Sequence, residues 1–468
     1  MHVFSFAQVI SAGTYHALYI CTDSTLISWG ENGTGQIGIG TTSTPQTTPA
    51  QVHGTGNIGF LTEITAVAGG AAHSLALKND STVWAWGWNN NGQLGDNTTI
   101  TRTSPVQVHG LGNIGFLTGI ISVAGGLHSI ALKNDNTVWA WGLNNSGQLG
   151  DGTNTGKITP VQVNNLTGIF AVGSGYYHSL ALKNDSTIWA WGLNSRGQLG
   201  DGTNTDSNIP VQMIIPSSGG IKSVAGGLEH TVILKNDGTV WACGNNTFYG
   251  AIGVGVWGNE YWIPVQVHGP GNIGFLTGII KIATGIAHCL ALKNDGTVWA
   301  WGYNNFGQLG DGTTAHRNVP VQVSGLTGIV ALAGGDTYSL ALKNDGTVWA
   351  WGNNSSGQLG DSTLTDRHTP IQVNGICMLS SIDELQQADN IIIYPNPSNG
   401  KFNIKNDELQ MTKYKIEIYN VLGEKIYFSL INSGKSEIDL TQQYSGIYFY
   451  RVVSENRIIM ANKFVVIK

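Results

Sequence analysis

The sequence predicts an all-β protein: a seven-bladed β-propeller followed by a small C-terminal β-sandwich. Three observations carry this expectation. Residues 1–376 hold all 15 tryptophans and 61 of the 65 glycines of the 468-residue chain. Within them one pattern recurs seven times, with its WG-type glycine at Gly30, Gly87, Gly142, Gly192, Gly244, Gly302 and Gly352. It is fullest at 338–373, YSLALKNDGTVWAWGNNSSGQLGDSTLTDRHTPIQV, and its period of 50 to 58 residues suits four strands with their turns. The remaining 92 residues carry no Trp, four Gly and 20 charges, ten of each sign, so a second domain begins after residue 376.

Within one copy, ISVAGG (121–126) and HSIAL (128–132) alternate as the first and second strands of a blade. KND followed by Gly, Ser or Asn and then Thr is turn chemistry that tolerates positive φ, and it leads into TVWAW, the third strand. A longer loop, GLNNSGQLGDGTNTGKIT, precedes PVQV, a fourth strand whose leading proline suits a strand start or an outer edge. In the third strand Trp84 and Trp86 share one face while Val83 and Ala85 take the other, so both faces are apolar. Sheets apolar on both sides must be sandwiched between neighbours, and seven of them satisfy one another by closing a ring. Closure either uses whole blades or lends the last strand, Pro370 to Val373, to blade 1.

Composition excludes several functions. Charged residues are only 11 % and the net charge is −6 with no basic run, so the electrostatic footprint of nucleic-acid binding is missing. No window approaches ~18 consecutive apolar residues, so no transmembrane segment is expected. Cys21, Cys243, Cys289 and Cys377 form no CxxC pair and read as buried thiols, although Cys21 and Cys377 fall near the expected seam, where a disulfide is the alternative.

The second-strand HSLAL, the WG of the third strand and the GQLG that follows, as at His73 to Leu77, Trp86 to Gly87 and Gly92 to Gly95, resemble the regulator of chromosome condensation repeat. The resemblance covers roughly residues 3–374 and implies the propeller independently. It implies little about activity, because the family includes nucleotide exchange factors, enzyme inhibitors and scaffolds.

The repeated residues read as structural. His16, His73, His128, His178, His230 and His288, with Tyr338 in the seventh copy, would lie ~10 Å or more apart around a ring, too far to share a zinc at ~2.1 Å. Each is expected to hydrogen-bond locally. GQLGDGT lacks the Lys and Ser/Thr of a phosphate loop and reads as a turn. No metal, cofactor or catalytic set is expected.

Function is therefore sought where symmetry breaks. In blade 5 the third-to-fourth loop reads NNTFYGAIGVGVWGNEYWIP, and Phe248, Tyr249, Trp257, Tyr261 and Trp262 are the first candidates for binding a protein or glycan. The competing reading is that they refill volume lost where Cys243 replaces a tryptophan. Copies 1, 2 and 5 carry a six-residue insertion before the next blade, HGTGNIGFLT, HGLGNIGFLT and HGPGNIGFLT, placing Phe60, Phe116 and Phe275 at matching positions. These are weaker candidates, since such a loop packs its own apolar residue beneath itself. Antiparallel order puts the two features on opposite faces.

A linker is expected over 377–390, rich in polar residues (SSIDELQQADN), and a small β domain over 391–468. Tyr394, Pro395, Asn396, Pro397 and Gly400 open the tail, and Tyr419-Asn420, Gly423, Gly446-Ile447-Tyr448 and Lys463 continue it. This order resembles the C-terminal sorting domain of type IX secretion cargo of Bacteroidetes-type bacteria. The resemblance implies engagement of that secretion machinery and a secreted or cell-surface location. MHVFSFAQVISAG lacks the cationic and long apolar segments of a secretory signal, so a truncated or misassigned start is expected.

Together these readings predict a secreted, non-enzymatic propeller that binds an extracellular protein or glycan. The rivals are an exchange factor for a small GTPase and a surface hydrolase, which would need carboxylates clustered in one mouth where Glu229 and Glu260 are the only glutamates between 64 and 383.

Overall fold

The computed structural model describes residues 9–377 apart from 44 and 218, and, in the tail, 391–394, 398–406, 414–420, 425–431, 436–454 and 457–466. The chain divides into two compact units, Met1–Ile376 and Cys377–Lys468. The expected linker lies, except for Cys377, outside the described residues.

The first unit is seven four-stranded antiparallel sheets, each made of consecutive strands. Blade 2 is typical, with Ile64–Gly69, His73–Lys78, Val83–Gly87 and Arg102–Gln107 from first to fourth strand. The fourth strand begins earlier than PVQV, so Pro105 sits inside it. It is an outer edge, and the register with the third strand shifts between Ala85 and Gly87, so no ladder partner is lost there. The second-to-third turn behaves as the sequence implies: Ser81 has φ 63°, and Asp80 Oδ1 accepts from the Thr82 amide at 3.0 Å and hydroxyl at 2.6 Å.

Both faces of each third strand are buried against neighbours. Trp86 joins Leu18, Leu26 and Val52 of blade 1, while Val83 and Ala85 join Trp141 and Ala131 of blade 3. Each fully buried indole contributes on the order of 2–3 kcal/mol of apolar burial. Its N–H is satisfied by the preceding blade, as Trp86 Nε1 donates to the Gln36 carbonyl at 2.9 Å.

The histidines bond to the next blade rather than locally. His16 Nε2 meets Ser74 Oγ at 2.9 Å, His73 meets Ser129 at 2.8 Å, His128 meets Ser179 at 2.6 Å, His178 meets Thr231 at 3.0 Å, and His288 meets Ser339 at 2.9 Å. His230 faces the Cys289 sulfur at 3.3 Å. Each serine donates its one proton back to the preceding blade, Ser74 to the Gln36 carbonyl at 2.8 Å, so its oxygen accepts from the imidazole. That fixes the Nε2–H tautomer. Burial holds these imidazoles neutral, lowering His16 to about 4 and His73 to about 3.

The ring closes with whole blades. Ile10–Ala12 to Gln46–Gln51 form the first sheet and Ile329–Gly334 to Arg367–Gln372 the last, with no strand exchanged. Across the seam Trp29 Nε1 donates to the Gln358 carbonyl at 3.0 Å, and the Asp336 amide donates to Thr14 at 3.1 Å.

The cysteine reading needs correction. Cys243 and Cys289 are free and buried, but Cys21 and Cys377 are both disulfide-bonded. Few, scattered cysteines gave no sequence framework that would have required this.

The tail unit has a three-stranded sheet (Ile391–Tyr394, Lys401–Asn406, Ser436–Asp439) and a four-stranded sheet (Lys425–Ile431, Tyr414–Tyr419, Gly446–Ser454, Arg457–Val466). Phe402, Ile438 and Leu440 from the first side pack with Ile416, Tyr448 and Val452 from the second, a sandwich core.

Candidate functional site

The first-to-second and third-to-fourth loops share one face of the ring. In all seven blades the third-to-fourth loop is held from within by a buried asparagine. Asn89 Oδ1 accepts from the Leu94 amide at 2.9 Å, Leu94 is buried, and Gly95, at φ 66°, lies under the Trp141 indole of the next blade. A Cβ at Gly95 would stand 2.9 Å from that indole nitrogen, which is why GQLG recurs. Its aspartates are already engaged, Asp96 with Arg102 and Asp361 with Arg367 at 2.7 Å each and Asp201 with the Asn194 side-chain amide and the Thr203 hydroxyl, so the run is a turn. Among the described residues there is no group of three or more His, Cys, Asp or Glu side chains placed to hold a metal.

Blade 5 keeps this clamp, the Asn246 Oδ1 accepting from the Ile252 amide at 3.1 Å and Gly253 lying under the Trp301 indole, but its sequence leaves the repeat between its third strand, Val240–Asn245, and its fourth, Glu260–Gln266. Cys243 stands where Trp86 stands in blade 2. The vacated volume is filled by Met213, which replaces the valine found in the other blades (Val108 in blade 2) and packs with Cys243 over Gly200. The flexible thioether does the filling. None of the loop aromatics belongs to the cluster around Cys243, which favours Met213 over them as the filler.

Phe248 is 64 % exposed and Trp257 45 %. On the flank toward blade 6, Phe248 lies 6.0 Å from Tyr249, and Tyr249 meets Tyr303 edge-on at 4.7 Å and His316 at 5.4 Å. Tyr303 also contacts Phe306 at 6.2 Å. Trp257 lies over Gly250, next to Asn318 of blade 6. Further inward Tyr15 lies beside Asp336, and burial together with that carboxyl pushes the phenol up to about 12. An aromatic arc thus runs from the rim toward the central channel.

Trp262 sits apart, on the flank toward blade 4. It covers Gly197, whereas the preceding residue, Tyr261, is half-buried on the other face against the blade 5–6 core. Beside them a shallow depression is lined by Arg196, Thr247, Asn259, Glu260, Tyr261 and Trp262. Arg196 pairs with Glu260 at 2.6 Å and Glu229 at 3.8 Å, so the two glutamates are brought together around one guanidinium.

Sequence reasoning missed Arg196, Tyr303, Phe306 and His316. A signal existed: Arg196 and Phe306 both occupy the residue immediately before the GQLG glycine, a position that varies among Thr34, Asn91, Ser146 and Ser356. Tyr249 precedes the corresponding Gly250.

The insertions lie on the opposite face and do not tuck their phenylalanines away. Leu61, Leu117 and Leu276 are the buried residues, while Phe60, Phe116 and Phe275 are half-exposed, each edge-on to His53, His109 or His268. Ile58, Ile114 and Ile273 are 82 %, 83 % and 80 % exposed. The turn closes through backbone bonds, the Gly54 amide donating to Gly59 at 2.9 Å, leaving the side chains between them outside.

In the tail, Tyr394 ends a strand, Gly400 adopts φ 103° before the next, and Gly446 starts the strand in which Tyr448 is buried and donates to the Tyr444 carbonyl at 2.7 Å. Tyr419 ends its strand, and Lys463 lies in the last strand opposite Phe449. Pro395, Asn396, Pro397 and Gly423 lie outside the described residues.

Comparison with known proteins adds four family matches. The RCC1-like domain matches residues 116–389, regulator of chromosome condensation (RCC1) repeats match 23–77 and 80–132 as well as 8–36 and 64–93, and a secretion system C-terminal sorting domain matches 392–468. Human E3 ubiquitin-protein ligase HERC2 is 30 % identical over 67 % of this chain, a stretch that is 5 % of that protein. The ultraviolet-B receptor UVR8 of Arabidopsis thaliana is 30 % identical over 66 % of this chain and 56 % of its own length. The chain thus spans less than two thirds of these relatives. Human WBSCR16 superposes with a TM-score of 0.65 at 23 % identity over 76 % of this chain and 94 % of its own. Yeast RCC1 (Prp20), solved bound to Kap60, does so with 0.64 at 20 % over 81 % and 90 %. These structural likenesses establish the fold.

Proposed function

Because the chain belongs to the RCC1-like domain family and ends in a secretion-system sorting domain, we propose that it is an exported propeller that binds an extracellular protein or glycan without catalysing a reaction. The sorting domain supports secretion or cell-surface export and engagement of the type IX machinery. One observation carries the binding reading: Met213 fills the space lost at Cys243, and Phe248 and Trp257 nevertheless remain exposed. Large rigid aromatics left in water at such a cost are what recognition of a sugar face or an apolar protein patch uses. The adjoining Arg196, Asn259 and Glu260 supply polar donors and acceptors of the kind that orient such a ligand.

Glu229 and Glu260 are both engaged by Arg196, an arrangement that suits holding a ligand better than delivering a proton. The full chain should retain a surface glycan or protein fraction that a Phe248→Ala/Tyr249→Ala/Trp257→Ala variant releases at least tenfold more readily. Equal retention by the variant refutes the assignment of the face. Accelerated nucleotide release from a small GTPase by the full chain would replace binding with exchange as the function.

A further inference from the structure

The central channel is lined by the first strands of the seven blades and encloses about 370 Å³. Its walls are built of small residues, apolar ones such as Ala124 and Val172 together with polar ones such as Ser122 and Ser174, and its two mouths differ. At the face bearing the aromatic arc, Tyr176 of blade 4 reaches across to the Thr14 hydroxyl of blade 1, and the Asp336 amide of blade 7 donates to the Thr14 carbonyl, so side chains span that end. At the opposite end two lysines stand in adjacent blades, Lys222 near the start of the first strand of blade 5 and Lys281 in that of blade 6.

Neither position carries a charge elsewhere in the ring. Where Lys281 stands, the other blades place Val9, Ala66, Ser122, Ala171, Ser223 and Ala331. Neither lysine has an ion pair or a side-chain hydrogen bond among the described residues. Every other Lys and Arg of the described propeller does, whether with a carboxylate, as Lys78 with Glu63 at 3.2 Å and Arg317 with Asp311 at 2.7 Å, or, for Lys235, with Ser217 at 2.6 Å. Burial, and then the field of Lys222, lower the pKa of Lys281. Two like charges at one mouth of the channel, neither paired with a carboxylate, repel, and a dianion between them would relieve the repulsion.

We propose that Lys222 and Lys281 form an oxyanion site at the open mouth of the central channel, taking a compact dianion, phosphate or sulfate, free or as the terminal ester of a larger ligand. The two point charges match a dianion in number, and their flexible stems let the ammonium groups converge on it. The site lies on the face opposite the aromatic arc and stands independently of the role proposed for that arc.

The test titrates the full chain with sodium phosphate, sodium sulfate and glucose 6-phosphate at constant ionic strength, with sodium chloride as reference, by calorimetry and thermal unfolding. Saturable binding of a dianion is expected, weakened at least tenfold in Lys222→Gln/Lys281→Gln. Tighter binding of the ester than of inorganic phosphate assigns the site to a carried group, and equal binding to the free ion. In the absence of dianion, Lys281→Gln should unfold at a higher temperature than the wild type because the repulsion is gone. No saturable binding, or equal binding by the double variant, overturns the proposal. A folded double variant is confirmed by its unfolding transition, so lost binding is not lost structure.

Discussion

Tyr338 in the seventh blade donates its hydroxyl to the backbone carbonyl of His16 in the first, across the seam where the ring closes. In the other blades a histidine holds this position and meets a Ser, Thr or Cys of the next blade. At the seam both partners differ, because blade 1 carries Ala17 where blade 2 carries Ser74. The tyrosine is longer than the imidazole and reaches past the missing hydroxyl to the main chain.

Tyr338→Phe should therefore cost about 1 kcal/mol, the worth of one buried hydrogen bond. Tyr338→His with Ala17→Ser should rebuild the relay of the other blades. In urea unfolding, the double variant is expected to be more stable than the sum of its single variants by about 0.5–1.5 kcal/mol. Strict additivity would show that the two positions do not communicate.

Acid should unfold the propeller before its carboxylates protonate. Burial depresses the six histidines to about 3 or 4, while in the unfolded chain they titrate near 6.5. The unfolded state then binds more protons below pH 6.5, so stability is complete above that value and falls as pH drops toward 4. With six sites the slope reaches about 8 kcal/mol per pH unit. Unfolding free energies at pH 7.5, 6 and 5 measure it, and a flat profile across that window would contradict neutral burial.

Thiol counting tests the cysteine assignment. Burial raises both free thiols, so native protein should resist iodoacetamide. Denatured, unreduced protein should take up label at Cys243 and Cys289 alone, and reduction should add Cys21 and Cys377. Four labelled cysteines without reductant would restore the reading of four thiols.

Cys243→Trp should destabilise by about 1–3 kcal/mol, because Met213 already occupies the space an indole needs. Adding Met213→Val should recover most of that loss by restoring the pairing used by Trp141 and Val108. No recovery would mean that the loop, rather than Met213, compensates for the missing tryptophan.

The ring was legible because its signals are local and repeated: the WG glycine, the KND turn and the apolar alternation each survive in most copies. What joins blades was less legible. The partner of His73 is Ser129, 56 residues away, and periodicity says nothing about which polar atoms meet. The candidate face was half legible. Phe248 and Trp257 stood out against the repeat, whereas Tyr303 and Phe306 lie inside an otherwise regular copy and gain meaning only beside Tyr249. The disulfide-bonded state of Cys21 and Cys377 was legible only as their shared place near the seam, because four scattered cysteines fix no pairing.

Whether the blade 5 aromatics are kept for a ligand or for the core is decided by the unfolding free energy of Phe248→Ala/Trp257→Ala in urea. If they wait for a ligand, the variant should match the wild type to within about 0.5 kcal/mol, as exposed positions do. A loss of about 3 kcal/mol or more, the scale of a core aromatic truncation, would place them in the packing and remove the binding face.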